Sequence, residues 1–160
     1  MKKVIYILTA LLLIVCASSC ESAPKVDEGI VGEWQLTEMD AAPVSDATVV
    51  YIEFKADKSF DIYQKVGSVL RYRKYVGTYS VNGSILSGEY KDGEEWGSDY
   101  RVTLEAEGQV LVLTAVTLDG DGAVQEEGEV CKYIKASLSD EEKAAADVVT
   151  KSAEAFLPFL

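Results

Sequence analysis

Short segments of alternating apolar and polar side chains are the feature that most constrains the fold of this chain. Val50, Ile52 and Phe54 would share one face of an extended segment, with Glu53 and Lys55 on the other. Similar segments, rich in Val, Ile, Tyr, Phe and Thr, recur at the roughly 8 to 12 residue spacing of an all-β meander. The eight predicted strands are Val31 to Met39, Val49 to Lys55, Ser59 to Val66, Leu70 to Val81, Ser84 to Tyr90, Asp99 to Ala106, Val110 to Leu118 and Gly122 to Ile134.

The period changes near the end of the chain. Ser139 and Glu142 have the spacing of a capping box, and the Ala-rich stretch after them favours a helix over 139–157, closed by Pro158. Residues 110–115 are apolar on both faces of their strand, which predicts a cover on the outer side. We expect the helix to supply that cover. Its apolar face would consist of Ala145, Val148, Val149, Ser152, Phe156 and Leu160.

The first twenty residues resemble a bacterial lipoprotein export signal. Two lysines precede an apolar run of about 14 residues, which is shorter than the roughly 20 that a membrane-spanning helix needs. Small residues then lead to Cys20. The resemblance implies a signal peptide over 1–19, lipidation of Cys20, a tether over 20–29 and an outer-membrane location in the cell envelope. The alternative is a plain secretory signal with an incidental cysteine.

Composition excludes several classes of function. Removal of residues 1–19 would leave 13 basic and 27 acidic side chains, a net charge of −14, which argues against nucleic acid as a partner. Attachment to a membrane would then depend on the lipid on Cys20. The chain has no histidine, the commonest general base and metal ligand, so we predict no enzyme activity, no cofactor and no metal. Asp119 to Gly122 begins like a calcium loop but lacks the later ligands, which favours a hairpin turn.

Several short motifs resemble the lipocalin-like lipoproteins of the Bacteroides group. They are Gly32-Glu33-Trp34, Gly77-Thr78-Tyr79, Leu86-Ser87-Gly88, Asp92-Gly93 and Trp96, and the resemblance covers Ile30 to about Lys135. It implies an all-β, eight-stranded antiparallel up-and-down barrel over 30–160, with one C-terminal α-helix. It also implies that Gly32 and Trp34 close one end of the barrel. Lipocalins usually stack an arginine over this tryptophan, whereas Lys132 and Lys135 are the nearby cations here.

The function depends on whether the aromatic-rich barrel is open or filled. An eight-stranded barrel is just wide enough to be filled by side chains or to hold one small ligand. The first hypothesis is that the chain binds a small apolar or amphipathic molecule. We expect this molecule to be uncharged or cationic because the mature chain is acidic. The alternative is a structural module with a filled barrel that binds another envelope protein. Strand alternation gives the candidate ligand-binding residues Phe54, Ile62, Tyr79, Tyr90, Tyr100 and Val102.

Overall fold

A computed structural model describes residues 25–153 and 159–160 of the chain. The predictions for residues 1–24, including the signal peptide and Cys20, lie outside the described residues. The α-helices are α1 (Val26–Gly29) and α2 (Asp140–Ala144), and 3-10 turns span Ala106–Gly108 and Lys151–Ala153. The strands are β1 (Gly32–Met39), β2 (Ala42–Pro43), β3 (Thr48–Phe54), β4 (Ser59–Val66), β5 (Arg73–Asn82), β6 (Ile85–Tyr90), β7 (Asp99–Glu105), β8 (Val110–Leu118), β9 (Val124–Lys135) and β10 (Asp147–Val148).

Eight of these strands form a closed antiparallel barrel. From β3 to β9 each strand pairs with the next along the chain, and β1 pairs with both β3 and β9 to complete the ring. This confirms the predicted eight-stranded, up-and-down barrel. The short strands β2 and β10, which the sequence pattern did not predict, lie at the edges of β1 and β5.

Strand bounds differ from the predicted ones by a few residues. β5 begins at Arg73 rather than Leu70, whose side chain is 92% exposed. The hairpin between β5 and β6 turns at Gly83 and Ser84, one position later than Asn82-Gly83, because Asn82 still pairs with Ile85. Gly83 carries the positive φ that this turn requires.

Two inward-facing glycines make room for large aromatic rings in the core. A Cβ at Gly77 would overlap the Phe60 ring, and a Cβ at Gly88 would overlap the indole of Trp96. The rings of Phe60 and Trp96 meet edge to face with centroids 5.1 Å apart, a favourable geometry for aromatic pairs. The barrel interior at this level is therefore filled by side chains.

The N-terminal segment closes one end of the barrel, which we call the helix end. The helix end comprises α1, Ile30, Trp34 and Lys135, and Lys135 is the last residue of β9. Trp34 is fully buried and its Nε1 donates to the Ile30 carbonyl at 2.7 Å, while Lys135 Nζ lies 5.3 Å from the indole centroid. Val26 of α1 also packs against the core. The tether predicted over 20–29 is thus too long, since its last residues fold onto the barrel.

The helix predicted over 139–157 is mostly wrong. Ser139 caps a helix as expected, accepting from the Glu142 amide, but that helix ends at Ala144. Asp147 and Val148 are extended instead and pair in parallel with Arg73 and Lys74. The reason lies in the pairing of β5: β6 pairs with β5 only from Gly77 onward, so the same side of Arg73 and Lys74 is taken by Asp147 and Val148. Residues 154–158 lie outside the described part.

The segment after β9 covers a different face from the one predicted. It lies outside the barrel over Tyr51, Tyr63 and Tyr72, with Leu138 and Ala146 packed among these rings. Lys143 Nζ fixes it there by ion pairs with Glu33 at 2.5 Å and Glu53 at 3.4 Å. Val110 and Val112, on the outer face of β8, are only partly buried. In the described ranges, no helix is long and apolar enough to cross a bilayer.

Candidate functional site

The end of the barrel opposite α1 is lined by hydroxyl and thiol groups, and we call it the tyrosine end. It comprises Tyr75, Tyr90, Tyr100 and Cys131. The three tyrosines lie near the start of β5, at the end of β6 and near the start of β7. Cys131 lies in β9 opposite Met39, the last residue of β1, and all four side chains are buried. Tyr90 lies edge to face with Tyr75, with ring centroids 6.2 Å apart. Meander connectivity brings them to one end of the barrel because antiparallel neighbours alternate in direction.

Residues from the C-terminal part of the chain close over the tyrosine end. The Tyr90 hydroxyl donates to the backbone oxygen of Leu160 at 2.7 Å, and Leu160 is only 4% exposed. Phe159 is partly buried against the same core. Lys151 Nζ lies 5.1 Å from the centre of the Tyr90 ring. The tyrosine end is therefore closed by contacts between residues about 60 to 70 positions apart along the chain.

A cleft of about 300 Å³ opens at the tyrosine end, and we call it the end cleft. This volume is at the lower limit of roughly 300 to 1,000 Å³ that small-molecule sites occupy. The cleft has an apolar floor and one charge of each sign at its rim. Its lining residues are Gly97, Ser98, Tyr100, Glu129, Lys151, Phe159 and Leu160.

The polar groups beneath the end cleft are held in their neutral forms. Burial raises the pKa of Tyr100 to about 12, with the charge of Glu129 acting in the same direction. Burial also raises the pKa of the Cys131 thiol to about 12, assisted by Glu129, whose carboxylate accepts from the thiol at 3.4 Å. Desolvation raises the pKa of Tyr90 well above its usual value. These three groups therefore stay protonated at physiological pH and present neutral donors beneath the cleft.

Two buried donors in the core have incomplete hydrogen bonding. Trp96 Nε1 is buried without a partner, and its ring lies edge to face with Tyr100 at 6.0 Å. The Tyr133 hydroxyl lies beside the Cys131 thiol without a hydrogen bond of ordinary geometry. An unsatisfied buried polar group costs about 1 to 3 kcal/mol.

A second, larger opening lies on the side of the barrel, and we call it the side cleft. It measures about 670 Å³ and arises because β6 and β7 share only two residue pairs before they diverge. The loop 91–98 fills the gap, with Trp96 folded inward over Gly88 and its amide donating to the Gly88 carbonyl at 3.0 Å. The side cleft has a mainly polar lining that includes Glu89, Glu95 and Asp99.

The six candidate ligand-binding residues all face inward and belong to the same core cluster. Of these, Tyr100 lines the end cleft, Tyr90 lines a neighbouring groove and Tyr79 lines the side cleft. Phe54, Ile62 and Val102 are buried among other side chains and line none of these three openings. Their role in binding stays a prediction.

Sequence reasoning missed that Phe159 and Leu160 line this site. It placed Leu160 on one face of a helix that does not extend so far. The apolar character of both residues was the only available signal, because nothing local to Tyr90 indicates a partner 70 residues away. The interpretation of Asp119 to Gly122 as a turn agrees with the structure, where the Asp119 carboxylate accepts from the Asp121 and Ala123 amides at 2.9 and 2.8 Å. Within the described ranges no cluster of possible metal ligands is present.

The closed eight-stranded meander, capped by a helix at one end and opening onto a small cleft at the other, defines the lipocalin-like class of barrel. The model of the lipocalin-like domain family matches residues 30–119, more than half of the chain. The chain therefore belongs to the lipocalin-like domain family. No curated protein matches it.

Proposed function

We propose that this chain is a lipid-anchored envelope protein of the lipocalin-like family that binds one small, uncharged amphipathic molecule at the tyrosine end. The observation that carries the proposal is the end cleft, which reaches Tyr100 and lies above neutral hydroxyl and thiol groups. Small-molecule sites commonly combine an apolar floor with a few convergent polar groups. The proposed ligand contacts are Tyr90 and Tyr100.

Electrostatics favour an uncharged ligand over an anionic one. The raised pKa values of Tyr100 and Cys131 show that this end destabilises negative charge. Glu129 and Lys151 at the rim offer one charge of each sign, so neither sign of ligand gains a clear advantage there. A neutral molecule with one hydrogen-bonding group fits these surroundings best.

The test is a titration of the mature protein, produced without residues 1–19 and without lipid, with the uncharged fluorescent probe N-phenyl-1-naphthylamine. We expect saturable binding with one site per chain. Tyr100→Ala should change the affinity at least several-fold because it alters the cleft wall. The matched control is Tyr72→Ala, since Tyr72 is equally buried but lies on the outer face under Leu138. Absence of saturable binding, or an equal effect of both substitutions, would contradict the proposal.

The second candidate function is an interaction module for another envelope protein. The filled interior favours it, because Trp34, Tyr75, Tyr90 and Tyr133 are all buried to 2% exposure or less. In that case the probe would not bind, and Tyr100→Ala would only lower the melting temperature. The same titration therefore separates the two functions.

Anchoring through Cys20 is proposed from the sequence of residues 1–20 and the resemblance to lipoproteins of the Bacteroides group. The strongly acidic mature chain has little attraction for anionic lipid, so attachment to the outer membrane would depend on acyl chains. Cys20→Ala should release the protein from the membrane fraction, whereas Cys131→Ala should not. A Cys20→Ala protein that still sediments with membranes after a high-salt wash would overturn the lipoprotein assignment.

A further inference from the structure

The strand β9 extends beyond one of its two neighbours in the barrel. β1 pairs with β9 from Cys131 to Lys135 and ends at Met39. Residues 124–129 of β9 lie beside β8, and no described residue pairs with them on their other side. We call this side of residues 124–129 the β9 edge. The barrel is therefore closed at the level of β1 but leaves an open strand edge above it.

The turn after β1 fixes where the β9 edge begins. Asp40 and Ala41 have φ angles of 48° and 61°, and a type I′ hairpin turn needs positive φ at both positions. They reverse the chain, because Met39 pairs with Ala42. The Asp40 amide donates to the Val130 carbonyl at 2.8 Å, and the Asp40 carboxylate accepts from the Val130 amide at 2.9 Å. Pairing along this side of β9 therefore stops at Val130.

The β9 edge is exposed and long enough to pair with another strand. Every residue from Gln125 to Val130 is exposed to solvent. Six extended residues span about 20 Å, and natural strands most often have about five or six residues. An open edge of this kind is a template for strand addition, in which an extended peptide pairs with the exposed backbone groups of a sheet. The β9 edge thus has the geometry of a docking site for an extended segment.

Carboxylates determine which segment the β9 edge can accept. Five of them lie on the edge or in the hairpin turn beside it: Glu126, Glu127, Glu129, Asp119 and Asp121. Arg101 forms an ion pair with Glu127. A second copy of this chain would bring glutamates close to glutamates, and like charges on paired strands are destabilising. The β9 edge therefore disfavours its own copy and favours a strand that carries lysine or arginine.

We propose that the β9 edge binds an extended, basic segment of a partner protein by strand addition. The backbone of the segment pairs with residues 124–129, and its cationic side chains lie beside Glu126 and Glu127. Backbone pairing supplies affinity, and the charges select the partner. The inference goes beyond the proposed small-molecule function, because pairing along a sheet edge requires no ligand in the end cleft.

The first experiment titrates the mature protein with two fluorescently labelled peptides and follows their anisotropy. One is a short peptide of alternating lysine and valine, and the control has proline in place of its central valine, which keeps the charge but removes a backbone donor. The control should bind about tenfold more weakly, the effect of about one lost hydrogen bond. Equal affinities would mean that charge alone attracts the peptide, and no binding of either would mean that the glutamates only keep the edge unpaired. Both results would overturn the inference.

The second experiment reverses charge at the β9 edge. Glu126→Lys combined with Glu127→Lys should weaken binding of the lysine-valine peptide about tenfold or more. The matched control is Glu28→Lys combined with Glu94→Lys, which changes net charge equally at exposed positions in α1 and in the loop after β6. The control should bind nearly as the wild-type protein does. Equal weakening in both variants would show that affinity follows net charge and would contradict the docking site.

Hydrogen exchange on the wild-type protein locates the bound peptide without any substitution. Strand addition gives the exposed N–H groups of the β9 edge a partner, so deuterium exchange at residues 124–129 should slow when the lysine-valine peptide binds. The proline peptide should slow it much less. Binding without protection of these residues would overturn strand addition. A free protein that is already dimeric through a protected β9 edge would overturn the choice of partner, because a second copy would then occupy the edge.

Discussion

The two ends of this barrel are closed in different ways. At the helix end, Trp34 donates to Ile30, four residues earlier in the chain, and Lys135 lies over the indole. At the tyrosine end, the Tyr90 hydroxyl donates to the backbone oxygen of Leu160, 70 residues away. The hydrogen bond that closes the helix end joins residues four apart, although Lys135 reaches that end from β9, whereas the hydrogen bond at the tyrosine end closes a loop of 70 residues at a larger entropic cost. The comparison leads us to expect that the helix end stabilises the fold, and it agrees with our proposal that the tyrosine end binds a ligand.

The largest expected effect is at the helix end. Trp34→Ala should lower the free energy of unfolding by about 3 to 5 kcal/mol, because it removes a fully buried aromatic side chain. Urea denaturation measures this change. If the variant remains folded, its affinity for N-phenyl-1-naphthylamine should be that of the wild-type protein. Unchanged stability, or a selective change in affinity, would break the distinction between the two ends.

The next effect concerns the Trp96 ring between the two ends. Gly88→Ala should destabilise the fold by about 1 to 3 kcal/mol, because the added methyl group would overlap the indole in a filled core. Gly97→Ala is the matched control, since open space surrounds that position and its φ is not in the left-handed region. The two melting temperatures give the result. Equal melting temperatures would mean that Trp96 does not lie over Gly88.

The tyrosine end should also respond to alkali. The Cys131 thiol has a pKa of about 12 in the folded chain and about 9 as a free group. Between these two values the thiol ionises only in the unfolded chain, so the free energy of unfolding is unaffected below pH 9 and falls as pH rises towards 12. The loss in unfolding free energy should reach about 1 kcal/mol by pH 10. Denaturation of the wild-type protein and Cys131→Ala at pH 7 and pH 10 measures it. The variant should lose less stability, and an identical loss would contradict the buried neutral thiol.

The smallest expected effect concerns Lys135, the cation that lies over the Trp34 indole at the helix end. Lys135→Met keeps the aliphatic contact with Trp34 but removes the ammonium group, so unfolding free energy should fall by about 0.5 to 1 kcal/mol. Lys132→Met is the control, because Lys132 instead faces Glu105 at 3.8 Å. Equal losses from both substitutions would show that Lys135 has no specific interaction with the indole.

The sequence predicted the barrel well because its information is local. Alternation placed Val50, Ile52 and Phe54 on the inner face, where all three are buried. The same alternation predicted the observed bounds of β4, although it could not show that the outer face of β4 is also covered. That cover comes from Leu138 and the residues after it, which contact Tyr63 only in the folded chain. The two-residue period of a strand therefore predicts which residues share a face, but it does not predict what packs against that face.

The C-terminal part failed as a prediction because tertiary pairing overrode helical propensity. The Ala-rich sequence after Ser139 favours a helix, yet Asp147 and Val148 pair instead with the beginning of β5. The candidate site shows the same limit: Tyr90 and Tyr100 were found by alternation, whereas Leu160 joins them through a contact with no local signal. The contact between Tyr90 and Leu160 is thus the part of this site that the sequence alone could not predict.

The most direct test of the central claim is a two-dimensional ¹H–¹⁵N NMR titration of the mature protein with N-phenyl-1-naphthylamine. The chain has two tryptophans, and Trp34 lies at the helix end with its indole hydrogen-bonded to Ile30. Binding at the tyrosine end predicts progressive, saturable shifts of the Tyr90, Tyr100 and Leu160 amides, while the Trp34 indole signal stays in place. Shifts centred on Trp34 and Ile30, or no saturable shift at Tyr100 and Leu160, would contradict the claim.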